Sequence, residues 1–130
     1  MQGNDEVREL FVEESRERLA AVERGLLQLE KDGAAADEAM IHGIFREAHS
    51  VKAGANLLGL RTFESLAHKL ENVLERLRKA ELAPTGRIVS ILLEGLDALQ
   101  DMLEDLDSSD SRDISEILER LARVESLRRS

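Results

Sequence analysis

Between Leu58 and Phe63 the chain has only Gly59, Leu60, Arg61 and Thr62 in which to leave one helix-patterned run and enter the next. Before the gap, Ile41, Ile44, Ala48, Val51, Ala55 and Leu58 recur at steps of three and four; after it, Phe63, Leu66, Ala67, Leu70, Val73, Leu74 and Leu77 do the same. A connection this short permits only an antiparallel hairpin of two helices. It also fixes a register. With the turn near residues 60 and 61 and an equal rise per residue, position x on one helix faces roughly position 121 minus x on the other.

The remaining segments fit around that hairpin. A first helix starts near Asn4 or Asp5, either of which can cap it, and carries Val7, Leu10, Phe11, Leu19, Val22, Leu26 and Leu29, a stripe thinned around Ser15. Lys31-Asp32-Gly33 ends it, and Asp37 caps the second helix. Gly59 closes the second helix and Thr62 caps the third. Pro84 stops continuation beyond Glu81, and Thr85 caps a fourth helix with Ile88, Ile91, Leu92, Leu99, Met102, Leu103 and Leu106 on one side. Asp107 to Ser111 is the most linker-like stretch. Ile114, Ile117, Leu118, Leu121 and Val124 then mark a fifth amphipathic helix, with Arg128 and Arg129 suiting its C-terminal end. The expectation is one all-α domain over residues 1–130: an antiparallel up-and-down bundle with a four-helix core and a fifth C-terminal helix. The helices run over about 5–31, 38–58, 63–81, 86–106 and 112–128. No internal repeat or sustained heptad suggests a solenoid or long coiled coil.

Composition narrows the function. A formal charge of −9 and a pI near 4.9 argue against nucleic acid as a partner, because phosphates reward clustered Lys and Arg. With no cysteine, disulfide and thiolate chemistry are excluded. No apolar run approaches a membrane span, so the expectation is a cytoplasmic domain without membrane insertion. There is no phosphate-binding glycine loop, no dinucleotide fingerprint, no H-E-x-x-H and no nucleophile elbow.

That leaves three histidines, His42, His49 and His68. In the hairpin register His49 faces about residue 72 and Lys52 about residue 69, which brings His68 and Glu71 to the level of His49 and Lys52. His42 faces about residue 79, among Arg78 and Lys79, and reads as a surface residue. Only His49 has a carboxylate opposite. An imidazole that gives its Nδ1 proton to Glu71 keeps the Nε2 lone pair for attack on phosphorus, and the carboxylate stabilises the positive charge that develops. Lys52, one turn beyond, offers an ammonium to phosphoryl oxygens. Ala53, Gly54 and Ala55 leave the backbone uncrowded for a partner's approach, and Leu57 or Leu58 can join an apolar patch beside it.

The run AHSVKAGANLLGL resembles the H-x-x-K-G signature of histidine phosphotransfer (HPt) domains. IFREAHSVKAGANLLGL followed by HKLENVLERLRKAEL resembles the N-terminal phosphotransfer domain of CheA-type chemotaxis kinases, in outline over nearly the whole chain. Ala53 stands where the family has glycine, and Asn56 where a small residue is usual. The resemblance implies that His49 is phosphorylated, that Glu71 is its hydrogen-bond partner, and that Lys52 and His68 belong to the same network. It implies a phosphoacceptor and carrier in two-component signalling rather than a complete enzyme. A kinase ATP-binding domain, in cis or in trans, would supply the phosphoryl group, and an aspartate of a response-regulator receiver domain would take it. No cofactor is expected on this domain: ATP and magnesium belong to the partner domains. A stand-alone phosphorelay protein outside chemotaxis is the alternative within the family. From other classes, an interhelical zinc site formed by His49, His68 and Glu71, or a plain helical interaction module, remains open.

Overall fold

The computed structural model describes residues 2–128. It is an all-α antiparallel bundle, with five α-helices and no strand among the described residues: α1 (Gln2–Asp32), α2 (Glu38–Leu57), α3 (Arg61–Arg78), α4 (Gly86–Glu104) and α5 (Ser115–Glu125). Helix α1 packs against α2 and α4, α3 packs against both of these, and α5 lies across α3 and α4. One continuous core runs through the bundle. Leu19, Leu26, Leu29, Val51, Phe63, Leu66, Leu74, Leu92, Leu96, Leu99, Met102 and Leu121 are its most buried large side chains. The apolar stripes of α2, α3 and α4 therefore point where their spacing directs them.

Local signals account for three of the helix ends. The carboxylate of Asp37 accepts from the Ala39 amide, and the Thr85 hydroxyl accepts from the Ile88 amide, so both expected caps are in place. Gly59 takes a left-handed φ of 70°, and Leu60 N donates to Ala55 O, which ends α2 and turns the chain.

Other ends differ from the sequence expectation. Helix α1 begins at Gln2, so Asp5 lies in its first turn rather than before it, and Val7 and Leu10 are about half exposed instead of buried. Helix α3 starts at Arg61 with Leu60 at the capping position. Thr62 is thus inside the helix: its amide donates to the Asp110 carboxylate and its hydroxyl donates to Asp110 O. The same helix stops at Arg78 because Ala80 adopts a left-handed φ of 59°. Helix α4 ends at Glu104 rather than 106, and the stretch expected as linker-like, Asp107–Ser111, is ordered with Leu106 into a 3-10 segment that buries Leu106 and Ser109. Its order comes from internal and tertiary bonds: Ser109 Oγ donates to Leu106 O, and Arg8 pairs with Asp107 at 2.8 Å. Helix α5 begins only at Ser115, where Asp113 accepts from both the amide and the hydroxyl of Ser115. Arg129 lies outside the described residues, and Arg123 is the basic residue of the last turn of α5.

Candidate functional site

The hairpin of α2 and α3 decides which side chains meet. Three cross-helix contacts fix its register: Phe45 with Arg78, His49 with Glu71, and Asn56 with Glu64. The paired numbers sum to 123, 120 and 120, against the expected 121. Equal rise and a turn at Gly59 suffice to set it.

Glu71 projects from α3 into the seam and is 9% exposed, the only buried carboxylate among the described residues. Each of its oxygens has a partner. His49 Nδ1 is 2.9 Å from Oε2, and Lys52 Nζ is 2.9 Å from Oε1. Burial alone would push the Glu71 pKa up. Hydrogen bonds and charge from Lys52 and His49 outweigh it and hold the carboxyl below its ordinary value. The group is therefore ionised at neutral pH and can only accept, so the proton between it and His49 resides on Nδ1. In the neutral imidazole Nε2 is then the nitrogen with the free lone pair; it has no hydrogen-bond partner among the described residues, on a side chain that is 56% exposed.

Lys52 spends one of its three donors on Glu71 and is mostly covered, so its ammonium neutralises the carboxylate as well as bordering the imidazole. His68 is exposed, one turn before Glu71 on α3, and makes no hydrogen bond or ion pair among the described residues. His42 is half-buried on α2, one turn before Phe45. No three His, Cys, Asp or Glu side chains gather as metal ligands among the described residues.

Two side chains at the site escaped the sequence reading. Phe45 lies one turn before His49, its ring stacked on the imidazole with centroids 6.1 Å apart and planes 16° from parallel. The Arg78 guanidinium sits 4.7 Å from the centre of the Phe45 ring. The signal was available, since Phe45 stands at i−4 from His49 and Arg78 within a turn of its hairpin partner.

The glycine question resolves by geometry. Ala53 is exposed, one turn beyond His49. Gly54 is the position where a side chain does not fit, because a Cβ there would come within 2.9 Å of the Phe11 ring.

Comparison with known proteins gives a consistent set of relatives. The family model described as "Hpt domain" matches residues 6–109. The chemotaxis protein CheA of Rhizobium meliloti (strain 1021) is 37% identical over 98 residues, 75% of this chain and 13% of that protein. The CheA protein of Bacillus subtilis (strain 168) is 38% identical over 96 residues, 74% of this chain and 14% of that protein. The chain thus spans a small part of the relatives it matches. Among solved structures, the phosphorylated P1 domain of CheA3 in complex with CheY6 from R. sphaeroides superposes with a TM-score of 0.80 at 30% identity, covering 94% of this chain and 97% of that one. The CheA phosphotransferase domain from Thermotoga maritima gives 0.72 at 31% identity, covering 79% and 96%. No helix among the described residues is long and apolar enough to cross a membrane.

Proposed function

The chain belongs to the Hpt domain family, and on that footing we propose that it carries a phosphoryl group on His49 between a CheA-type kinase ATP-binding domain and a response-regulator aspartate. The observation that supports this is the Glu71 carboxylate on His49 Nδ1, which leaves Nε2 as the nucleophile. In the first step the Nε2 lone pair attacks the γ-phosphorus of ATP. The Nε2–P bond forms as the bridging O–P bond breaks, ADP departs with the bonding pair, and the Nδ1 proton stays against Glu71, whose charge balances the cationic ring. The second step runs the bond order the other way: a receiver carboxylate attacks phosphorus and His49 leaves as neutral imidazole.

Lys52 serves as a phosphoryl contact with the donors that Glu71 does not occupy. His68 borders the network from the solvent side, without a direct bond to it. ATP and magnesium reside on the partner domains, and the working compartment is the cytoplasm. The P1 domain of CheA3, which is phosphorylated and in complex with CheY6, supports a receiver domain as the onward acceptor. The domain alone is a substrate and carrier, not a complete enzyme.

Incubation with ATP and the ATP-binding domain of a CheA-type kinase tests the reading. The expected product is an acid-labile, alkali-stable phosphate on the wild-type chain that is absent from His49→Gln. A wild-type chain that takes no label, or a His49→Gln chain that keeps it, overturns the assignment.

A further inference from the structure

A single hydrogen bond, which tolerates a spread of distance and angle, holds the His49 ring at Nδ1 and restrains its plane only softly. The torsion that turns an imidazole about its Cβ–Cγ bond has a broad, nearly two-fold profile. A ring rocking about that bond within the tolerance of its hydrogen bond would swing Nε2 through an arc, and attack on phosphorus tolerates little misalignment. The second constraint is Phe45. Its ring lies 16° from parallel to the imidazole at a centroid distance of 6.1 Å, within the range of offset stacking.

Phe45 has the same torsional freedom and is only half-buried, so something must hold it as well. Arg78 reaches it from the end of α3 away from Glu71 and lays its guanidinium 4.7 Å from the ring centre. The guanidinium is tied in turn: its Nη2 donates to Glu75 one turn earlier on α3, and Lys79 Nζ stands 3.6 Å from the same carboxylate. We infer that Phe45 is a positioning residue for the phosphoacceptor, its ring setting the plane of the His49 imidazole while Arg78 sets the plane of Phe45. A merely structural Phe45 would only fill space beside the core, a role that leucine can take. The inference rests on His49 being the phosphoacceptor.

Phosphoramidate as donor removes partner docking from the measurement. Nε2 bonds to phosphorus as the P–N bond breaks, and the ammonio group of the donor leaves as ammonia. Phe45→Leu should remain folded and slow the labelling of His49 about tenfold, while Phe45→Tyr, which keeps the stack, should stay within about twofold of wild type. The ring protons of His49 should shift in the NMR spectrum of Phe45→Leu and of Arg78→Met, because the ring current above them is lost or turned. A folded Phe45→Leu that labels at the wild-type rate overturns the inference, as does Phe45→Tyr slowed to the same extent as Phe45→Leu. If Phe45→Leu does not fold, Arg78→Met decides: unmoved His49 resonances together with a wild-type rate overturn it. A wild-type chain that takes no phosphate sinks the phosphoacceptor reading and this inference with it, whereas normal wild-type labelling separates the two.

Discussion

Glu71 serves two donors at once, so its removal should be felt twice. Glu71→Ala frees the His49 ring and leaves Lys52 without its carboxylate, and phosphorylation should slow by about 10- to 100-fold, the usual size of general-base and orienting effects. Labelling time courses check it, and a wild-type rate would refute the role of Glu71 without touching the assignment of His49. The same carboxylate predicts a pH dependence. Its pKa is lowered in the folded state, so the ionised form contributes stability above the ordinary value of 4.5, and the contribution disappears as pH falls through the lower folded value. The difference in melting temperature between wild type and Glu71→Gln should therefore narrow as the pH drops below 4.5; a difference that stays constant down to acid unfolding would contradict it. Much of this cluster was legible because a short turn converts sequence position into spatial level, which finds Glu71 opposite His49. The arithmetic gives levels and not directions. It placed His68 at the right height, but the side chain faces solvent; it set Arg78 at the level of His42, and it gave no part in the site to Phe45, which is not on the apolar stripe of the second helix.

At the scale of the elements, two small residues test how tightly the helices are joined. Gly54→Ala drives a methyl into the Phe11 ring, which is buried and packed edge-on against Phe63 with centroids 5.7 Å apart and so has nowhere to go. The cost should be about 1–3 kcal/mol. Ala53→Gly, one residue earlier and exposed, should cost only about 0.5–1 kcal/mol from backbone entropy. Urea titration of both variants separates the close-packed position from the open one; equal losses would refute it. Ala80 supplies the opposite sign. Its left-handed φ of 59° is one that a β-carbon disfavours. Ala80→Gly should therefore raise stability by about 0.5–1 kcal/mol after the entropy gained by the unfolded chain is subtracted, and a lower urea midpoint would disprove it. These positions also show why helix ends were harder to read than helix faces. Asp37, Thr85 and Gly59 carry a side chain or a freedom that marks a boundary. Ala80 carries neither, since alanine favours helix, and nothing in its neighbours distinguishes the last turn of α3 from the turn that follows. The 3-10 segment at Leu106–Ser111 was hidden for a related reason: its polar letters spell a linker, and its order comes from distant partners in α1 and α3.

In the whole molecule, the four-helix arrangement that presents His49 is joined by a helix beyond the family match, which ends at residue 109, whereas α5 begins at Ser115. Helix α5 and its approach bury Ile114, Leu121 and Val124, and Leu121 closes over α4 where Gly95 leaves room for it and for Leu70. Polar contacts hold the helix in place: Lys69 pairs with Glu125 at 3.1 Å, and Arg76 donates to the carbonyl oxygens of Glu125 and Leu127. The ion pair is partly exposed and contributes little, so the aliphatic side chains carry most of the effect. Three of them at about 1.5–3 kcal/mol each are comparable with the whole stability of a small domain. Yet α5 grips the face of α3 that bears Lys69, Asn72 and Arg76, while Glu71 turns toward α2. Stability and chemistry should consequently separate. A chain ended after Ser111 should unfold at a much lower urea concentration, and Leu121→Ala in the full chain should cost about 2–5 kcal/mol. In dilute buffer, where circular dichroism still reports a helical fold, phosphoramidate should label His49 of the shortened chain at close to the wild-type rate. An unchanged urea midpoint would mean that the packing of α5 is dispensable, and a helical but unreactive shortened chain would mean that α5 acts on the site through α3.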